Sequence, residues 1–240
     1  MRGMHDLPLF RPQPPGLARN KRLTRWLAIG VIVAAFLWTG STLGEPHRAS
    51  PSDAITWDPT RPIEWEHFRG TPPAETLRID EVAVIHLTIR WFVQYELAYD
   101  SGSERWKGTI LRDTLQVTNT MDPQQSWVIR EKTTDEALHH ERGHFDLNEV
   151  YRRKLFALLS QLRVFEQSLE RARSALQEAI AETANRILDV LEGVQAAYDQ
   201  DTAHGTNRQA QANWEQRIAD WLNSPARASE EASGIAARIE

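Results

Sequence analysis

Residues 140–144 read His-Glu-Arg-Gly-His, an H-E-x-x-H pattern inside "ALHHERGHFDL". Two histidines four positions apart on a helix lie about 40° apart around the axis and one turn apart in height, so both imidazoles reach one ion. Zinc suits this donor set, at about 2.0–2.1 Å from each nitrogen. Glu141 stands beside that face, where its carboxylate meets a water at the open coordination position and not the metal. The chemistry that follows is hydrolysis: the ion acidifies the water, Glu141 takes its proton as a carbonyl is attacked, and the proton passes to the leaving amine. Gly143 costs helix propensity of about 1 kcal/mol relative to alanine, which is tolerated where another group must approach the backbone closely. His139 points about 100° off the ligand face and reads as solvated or supporting.

The pattern needs a helix to position it. Thr133 with Glu136 three residues on is a capping-box signature, so a helix should start there and run to about residue 162. A second long helix is expected over roughly 165–192, with Leu169, Leu176, Ile180, Ala184, Ile187 and Leu191 at helical spacing and Gly193 near its end. The polar loop "YDQDTAHGTN" follows, and then a closing helix with Trp214, Ile218 and Trp221 on one stripe. Before the motif, Ile85, Leu87, Ile89, Trp91, Val93, Tyr95 and Leu97 alternate with mostly polar residues, the period of a half-buried strand broken only at Phe92. "DSGSE" (100–104) reads as a turn, with a second strand from Thr109 to Asn119 and a short one at "SWVIR", 126–130. Trp65, Phe68, Trp91, Trp127, Trp214 and Trp221 read as core packing.

A catalytic zinc takes three protein ligands plus water. The candidates for the third are His204, Glu182, Glu149 and Asp146. A tight helical hairpin turning near residue 164 would set residue 184 level with His144 and favour Glu182. His204 requires the chain to double back after Gly193, and it is the ligand expected first. Asp146 suits helix packing, paired with Arg142 or Arg153. Tyr198 could donate a hydrogen bond to a developing oxyanion, or simply pack.

Composition narrows the partners and the compartment. The chain has 240 residues and a formal net charge of -5, although Arg2, Arg11, Arg19, Lys21, Arg22 and Arg25 face only Asp6 in the first 25 residues. The acidic remainder argues against nucleic acid as a partner. The absence of cysteine removes disulfides, thiolate catalysis and cysteine zinc sites. Residues 1–25 read as a basic cytoplasmic tail, and the uncharged run from Trp26 to Leu43, about 27 Å as a helix, reads as a transmembrane signal-anchor. Cleavage near Thr42 and Gly44 would make the protein secreted. A linker at 45–54, a folded domain at 55–223 and a weakly ordered tail at 224–240 complete the expected organisation. The location that follows is the inner membrane, single-pass, with the main domain periplasmic or extracellular.

"IEWEHFRGTPP" (63–73), "SWV" (126–128), "LHHERGHFDLNEVYRRKL" (138–155) and "YDQDTAHGTNRQAQANWEQRIADWL" (198–222) together resemble the bacterial family catalogued as domain of unknown function 922. That resemblance implies an exported, zincin-like, zinc-dependent protease. The expected fold class is α+β: a small antiparallel sheet, the H-E-x-x-H helix, a long helical hairpin and a closing helix, preceded by a transmembrane helix. The expected ligands are His140, His144 and His204 around Zn2+, with Glu141 as base and peptides or proteins as substrate. Two rivals are an envelope protein with a structural zinc and a helical docking surface, and a metal-free helical interaction module.

Overall fold

The computed structural model of the chain describes residues 53–73 and 82–224. Among these residues eight short strands and three α-helices follow one another as β1 (Ile55–Thr56), β2 (Ala83–Val84), β3 (Leu87–Phe92), β4 (Tyr95–Asp100), β5 (Arg105–Ile110), β6 (Gln116–Met121), β7 (Trp127–Val128), α1 (Asp135–Leu159), β8 (Arg163–Glu166), α2 (Leu169–Thr202) and α3 (Arg208–Asn223). The strands form three small antiparallel sheets, ordered β1-β6-β3, β2-β7 and β4-β5-β8.

The alternating stretch 85–97 is two strands and not one. β3 pairs with β6 from Leu87↔Met121 to Phe92↔Gln116, and β4 pairs with β5 from Tyr95↔Ile110 to Asp100↔Arg105. The ribbon bends between them where the Leu111 N–H donates to the Gln94 carbonyl and a 3-10 turn, Arg112–Thr114, interrupts the partner strand. Phe92, the residue out of period, ends β3 half exposed. Leu87, Ile89, Val117 and Met121 turn one face of the first sheet inward, and Asn119 is the buried polar residue among them.

Thr134, one residue later than expected, caps α1: its side chain accepts the Ala137 N–H at 3.1 Å. Thr133 instead donates its hydroxyl proton to the Arg130 carbonyl. Leu147, Val150, Tyr151, Leu155 and Leu159 of α1 meet Leu176, Ala184, Ile187, Leu188, Leu191 and Val194 of α2 and Trp214, Ile218 and Trp221 of α3 in the main core. A smaller core of Ile63, Phe68, Ala83, Ile85, Leu87, Met121, Val128, Leu138 and Phe145 lies around the start of α1.

The expected hairpin is corrected in its turn and in its length. Residues 163–166 form β8, which extends the third sheet along β5, so α2 starts against that sheet, where Leu176 lies beside Gly108. Gly193 does not end α2, which continues to Thr202 and is 34 residues long. An offset start and a longer return arm bring residues near 195–199 level with His144, in place of residue 184.

Among the described residues no helix is long and apolar enough to cross a membrane. The expected fold is corrected accordingly: the described residues form an α+β arrangement of small antiparallel sheets and three α-helices around α1, with no membrane-spanning helix among them. The stretch 26–44 expected as an anchor lies outside the described residues, as do 1–25, most of the linker and 225–240. The inner-membrane location and the membrane as partner rested on that helix and are set aside with it.

His86 gives the fold an acid sensitivity. Its two ring nitrogens are buried without a hydrogen-bond partner among the described residues. Burial lowers its pKa from 6.5, against the opposing charge of Asp122. The folded chain therefore prefers neutral His86, and this contribution to stability is present above about pH 6.5 and lost as the pH falls below it. Urea midpoints should fall on acidification through that window, and His86→Phe should flatten part of the decline.

Candidate metal centre

Four segments build the site. α1 presents His140 and His144 one turn apart, and the last turns of α2 present Gln195, Tyr198, Asp199 and Thr202. The connection 203–207 carries His204 and Gly205, and the first turn of α3 carries Gln211. α2 ends in three consecutive left-handed residues, Ala203 (φ 47°), His204 (φ 53°) and Gly205 (φ 81°), a reversal that costs about 1–2 kcal/mol at each non-glycine position. It returns the chain against α1 so closely that a Cβ on Gly205 would sit 2.9 Å from the His140 Cβ.

The ligand-type atoms converge. His140 Nε2 lies 3.0 Å and His144 Nε2 2.8 Å from Asp199 Oδ1, and the two Nε2 atoms are 3.1 Å apart. Three donors held at about 2.0–2.1 Å around a tetrahedral ion stand roughly 3.3 Å from one another, so this spacing needs only a slight expansion to accept a divalent cation. His204 does fold back to this point: its Nδ1 is 3.7 Å from Asp199 Oδ1, with the side chain 64% exposed. The ligand atoms of His140, Asp199 and His204 all lie within 4.8 Å of one another. His140, Glu141, His144 and Asp199 are all buried.

The outward nitrogens of the two imidazoles are also spoken for. His144 Nδ1 is 2.5 Å from Gln195 Oε1, and His140 Nδ1 is 3.4 Å from Gln211 Oε1 and 3.3 Å from Thr202 Oγ1. A proton on each Nδ1 satisfies these acceptors and leaves both Nε2 lone pairs aimed inward, the arrangement that metal-binding histidines use.

Charge in the cluster is strongly coupled. Burial lowers the His140 pKa to about 4, with Asp199 opposing. Burial also opposes charge on His144, but the Asp199 carboxylate, its hydrogen bond and Glu141 raise His144 to about 9. Against its own burial, Asp199 is held well below the usual carboxylate range by the two imidazoles. The pocket is thus suited to one positive charge between a buried carboxylate and two rings.

Tyr198 is the floor. Its ring stacks on His140 with centroids 4.6 Å apart and planes 17° from parallel. Its hydroxyl donates to the His140 carbonyl at 3.1 Å and accepts from Gln211 Nε2 at 2.7 Å. Burial pushes the phenol pKa up, so it keeps its proton. That proton is directed at the backbone of α1 in this arrangement.

Gly143 follows from the same contact. A Cβ at 143 would lie 2.1 Å from the Tyr198 hydroxyl oxygen. Gly143→Ala should therefore destabilise the chain by about 1–3 kcal/mol despite alanine's better helix propensity. Urea unfolding measures this loss, and partial recovery on adding Tyr198→Phe would assign it to the hydroxyl clash.

The other expected candidates lie elsewhere. Glu182 is exposed on α2. Glu149 is buried but held by Arg152 and Arg153. Asp146 accepts the Trp57 indole N–H at 2.7 Å, while Arg142 goes to Glu64 and the Ile63 carbonyl. His139 is exposed.

Residues 74–205 match the family described as "Bacterial protein of unknown function (DUF922)". The chain belongs to this family. No curated protein and no solved structure matches it. The DUF922 match covers more than half the chain and contains both the H-E-x-x-H helix and the α2 end that supplies Asp199. The His140/His144/Asp199 cluster is consistent with a zincin-type metal-binding site, with a carboxylate from a distant helix joining the two histidines. Asp199 was not among the sequence candidates although it stands beside Tyr198 in the quoted block; its signal was proximity to His204 at the end of a helix longer than its sequence suggested.

Proposed function

We propose that this DUF922 chain is a zinc-dependent hydrolase of peptide bonds in peptides or proteins. The observation that supports it is the convergence of His140 Nε2, His144 Nε2 and Asp199 Oδ1 within 2.8–3.1 Å on the face of an H-E-x-x-H helix. The two imidazoles and the carboxylate would hold the ion, and zinc, when bound, supplies Lewis acidity toward a carbonyl and toward water. Glu141 is buried next to His140, close enough for its charge to act on His144 and Tyr198. As general base it takes a proton from the attacking water while the water oxygen bonds to the carbonyl carbon. It returns the proton to the amine nitrogen as the C–N bond breaks. Gln195, Gln211 and Thr202 keep the imidazoles oriented, and Tyr198 excludes water from beneath His140.

His204 favours a second reading. Its Nδ1 lies near enough to Asp199 to complete four protein ligands, and a closed four-ligand site is structural. Zinc content and peptidase activity of the full chain and of His204→Ala separate the two. The hydrolase reading expects His204→Ala to keep stoichiometric zinc and its activity against casein-type substrates. A structural site expects a large loss of affinity in His204→Ala and no cleavage by any form.

A further inference from the structure

A chain of buried side-chain amides runs from the first sheet to the site. Asn119, on β6, donates from Nδ2 to the Phe145 carbonyl at 3.1 Å, and its Oδ1 accepts from Asn148 Nδ2 at 3.3 Å. Asn148 Oδ1 in turn accepts from Gln195 Nε2 at 3.2 Å. The same Gln195 Nε2 donates to the His144 carbonyl at 3.1 Å, and Gln195 Oε1 faces His144 Nδ1 at 2.5 Å. Asn119, Asn148 and Gln195 are each at most 2% exposed.

The polarity of this chain has one solution. The Phe145 and His144 carbonyls can only accept, so each must receive an amide N–H. Asn119 must then present its oxygen to Asn148, Asn148 its oxygen to Gln195, and Gln195 its oxygen to the imidazole. Reversing the Gln195 amide would set its NH2 against the ring N–H and its oxygen against a carbonyl, leaving buried groups unsatisfied at about 1–3 kcal/mol each. An apolar residue at any one of the three positions would leave the buried polar groups beside it unpaired. A fully satisfied buried network of this kind rigidifies the groups it joins.

We propose that the Asn119–Asn148–Gln195 relay is a positioning device that keeps the proton of His144 on Nδ1 and so dedicates Nε2 to the metal. Gln195 is its terminal positioning residue. The relay couples the first sheet, α1 and α2 to one ring orientation, and it acts through His144 without touching substrate. This inference rests on the metal-site reading above and refines it.

The test uses the full-length chain, with zinc affinity read by competition with a chelator and ring protonation read by imidazole 15N NMR. Gln195→Met, which keeps volume and removes both polar functions, should weaken zinc binding roughly tenfold to a hundredfold. Gln195→Glu, which keeps an acceptor for the ring N–H, should recover most of that loss. Wild-type affinity in a folded Gln195→Met overturns the relay. The second measurement needs no variant: in wild type, His144 Nδ1 carries the proton both with zinc and without it. A bare Nδ1 in either state overturns the proposal even if Gln195→Met fails to fold. If wild type binds no zinc but keeps the Nδ1 proton, the metal reading fails while the ring orientation stands. If it binds zinc through Nδ1, the relay fails and the metal reading stands.

Discussion

Asp199→Ala should cost the protein its metal. Structural zinc sites of four ligands carry about 10–16 kcal/mol, so removing one ligand weakens binding by roughly 10²–10³-fold. Asp199 is the shared partner of both imidazoles, 3.0 Å from His140 Nε2 and 2.8 Å from His144 Nε2, so its loss affects the whole cluster. The metal-free variant should tolerate the change: without the carboxylate, the main cause of the raised His144 pKa is gone and the buried ring becomes neutral. Metal analysis and chelator competition on purified wild type and Asp199→Ala measure the effect. Glu182→Ala is the control, since Glu182 is exposed on the same helix and should leave zinc binding unchanged. Equal zinc affinity in wild type and a folded Asp199→Ala would remove Asp199 from the ligand set and return the third position to His204.

Glu141→Gln should separate binding from chemistry. The amide is nearly isosteric and stays buried beside His140, but it cannot take a proton from water at neutral pH. General-base catalysis of this kind contributes about 10²–10⁴-fold, so turnover should fall by that factor with zinc content unchanged. His144→Ala, in contrast, should lose both metal and activity. The comparison reads kcat and zinc stoichiometry together on one peptide substrate. Cleavage at the wild-type rate by Glu141→Gln would refute its role as base, and a loss of zinc in that variant would move Glu141 among the ligands.

Local signals carried much of the site. His140, Glu141 and His144 were legible because helical periodicity alone puts residues four apart on one face, whatever the helix packs against. The closing helix was legible for a similar reason: Trp214, Ile218 and Trp221 form an apolar stripe that has to be buried. The H-E-x-x-H helix start was placed within one residue, since two adjacent threonines compete for the cap and only contacts outside the helix choose between them. Gly143 was recognised as a site of close approach, but nothing local says that Tyr198, 55 positions later, is the group approaching.

Distance in sequence explains the errors. The bend at Val93–Gln94 follows from two neighbouring strands leaving one sheet for another together, which an alternating pattern in a single strand does not reveal. The strand at 163–166 turns what would be a tight hairpin into an offset one, because the chain first pairs with the exposed edge of β5. That pairing moves the level of His144 from residue 184 to the end of α2.

The sequence by itself thus determined the H-E-x-x-H helix, its two histidines, its adjacent carboxylate and the family, all properties of short segments whose spacing fixes their geometry. Only the tertiary structure decided that Asp199 joins the histidines, that His204 stands at the rim, that Gln195 and Gln211 back the rings and that Tyr198 lies beneath them. These depend on how far α2 runs and where it starts against the third sheet, and the register of two helices is set by the packing of their whole buried faces, not by any local stretch of either.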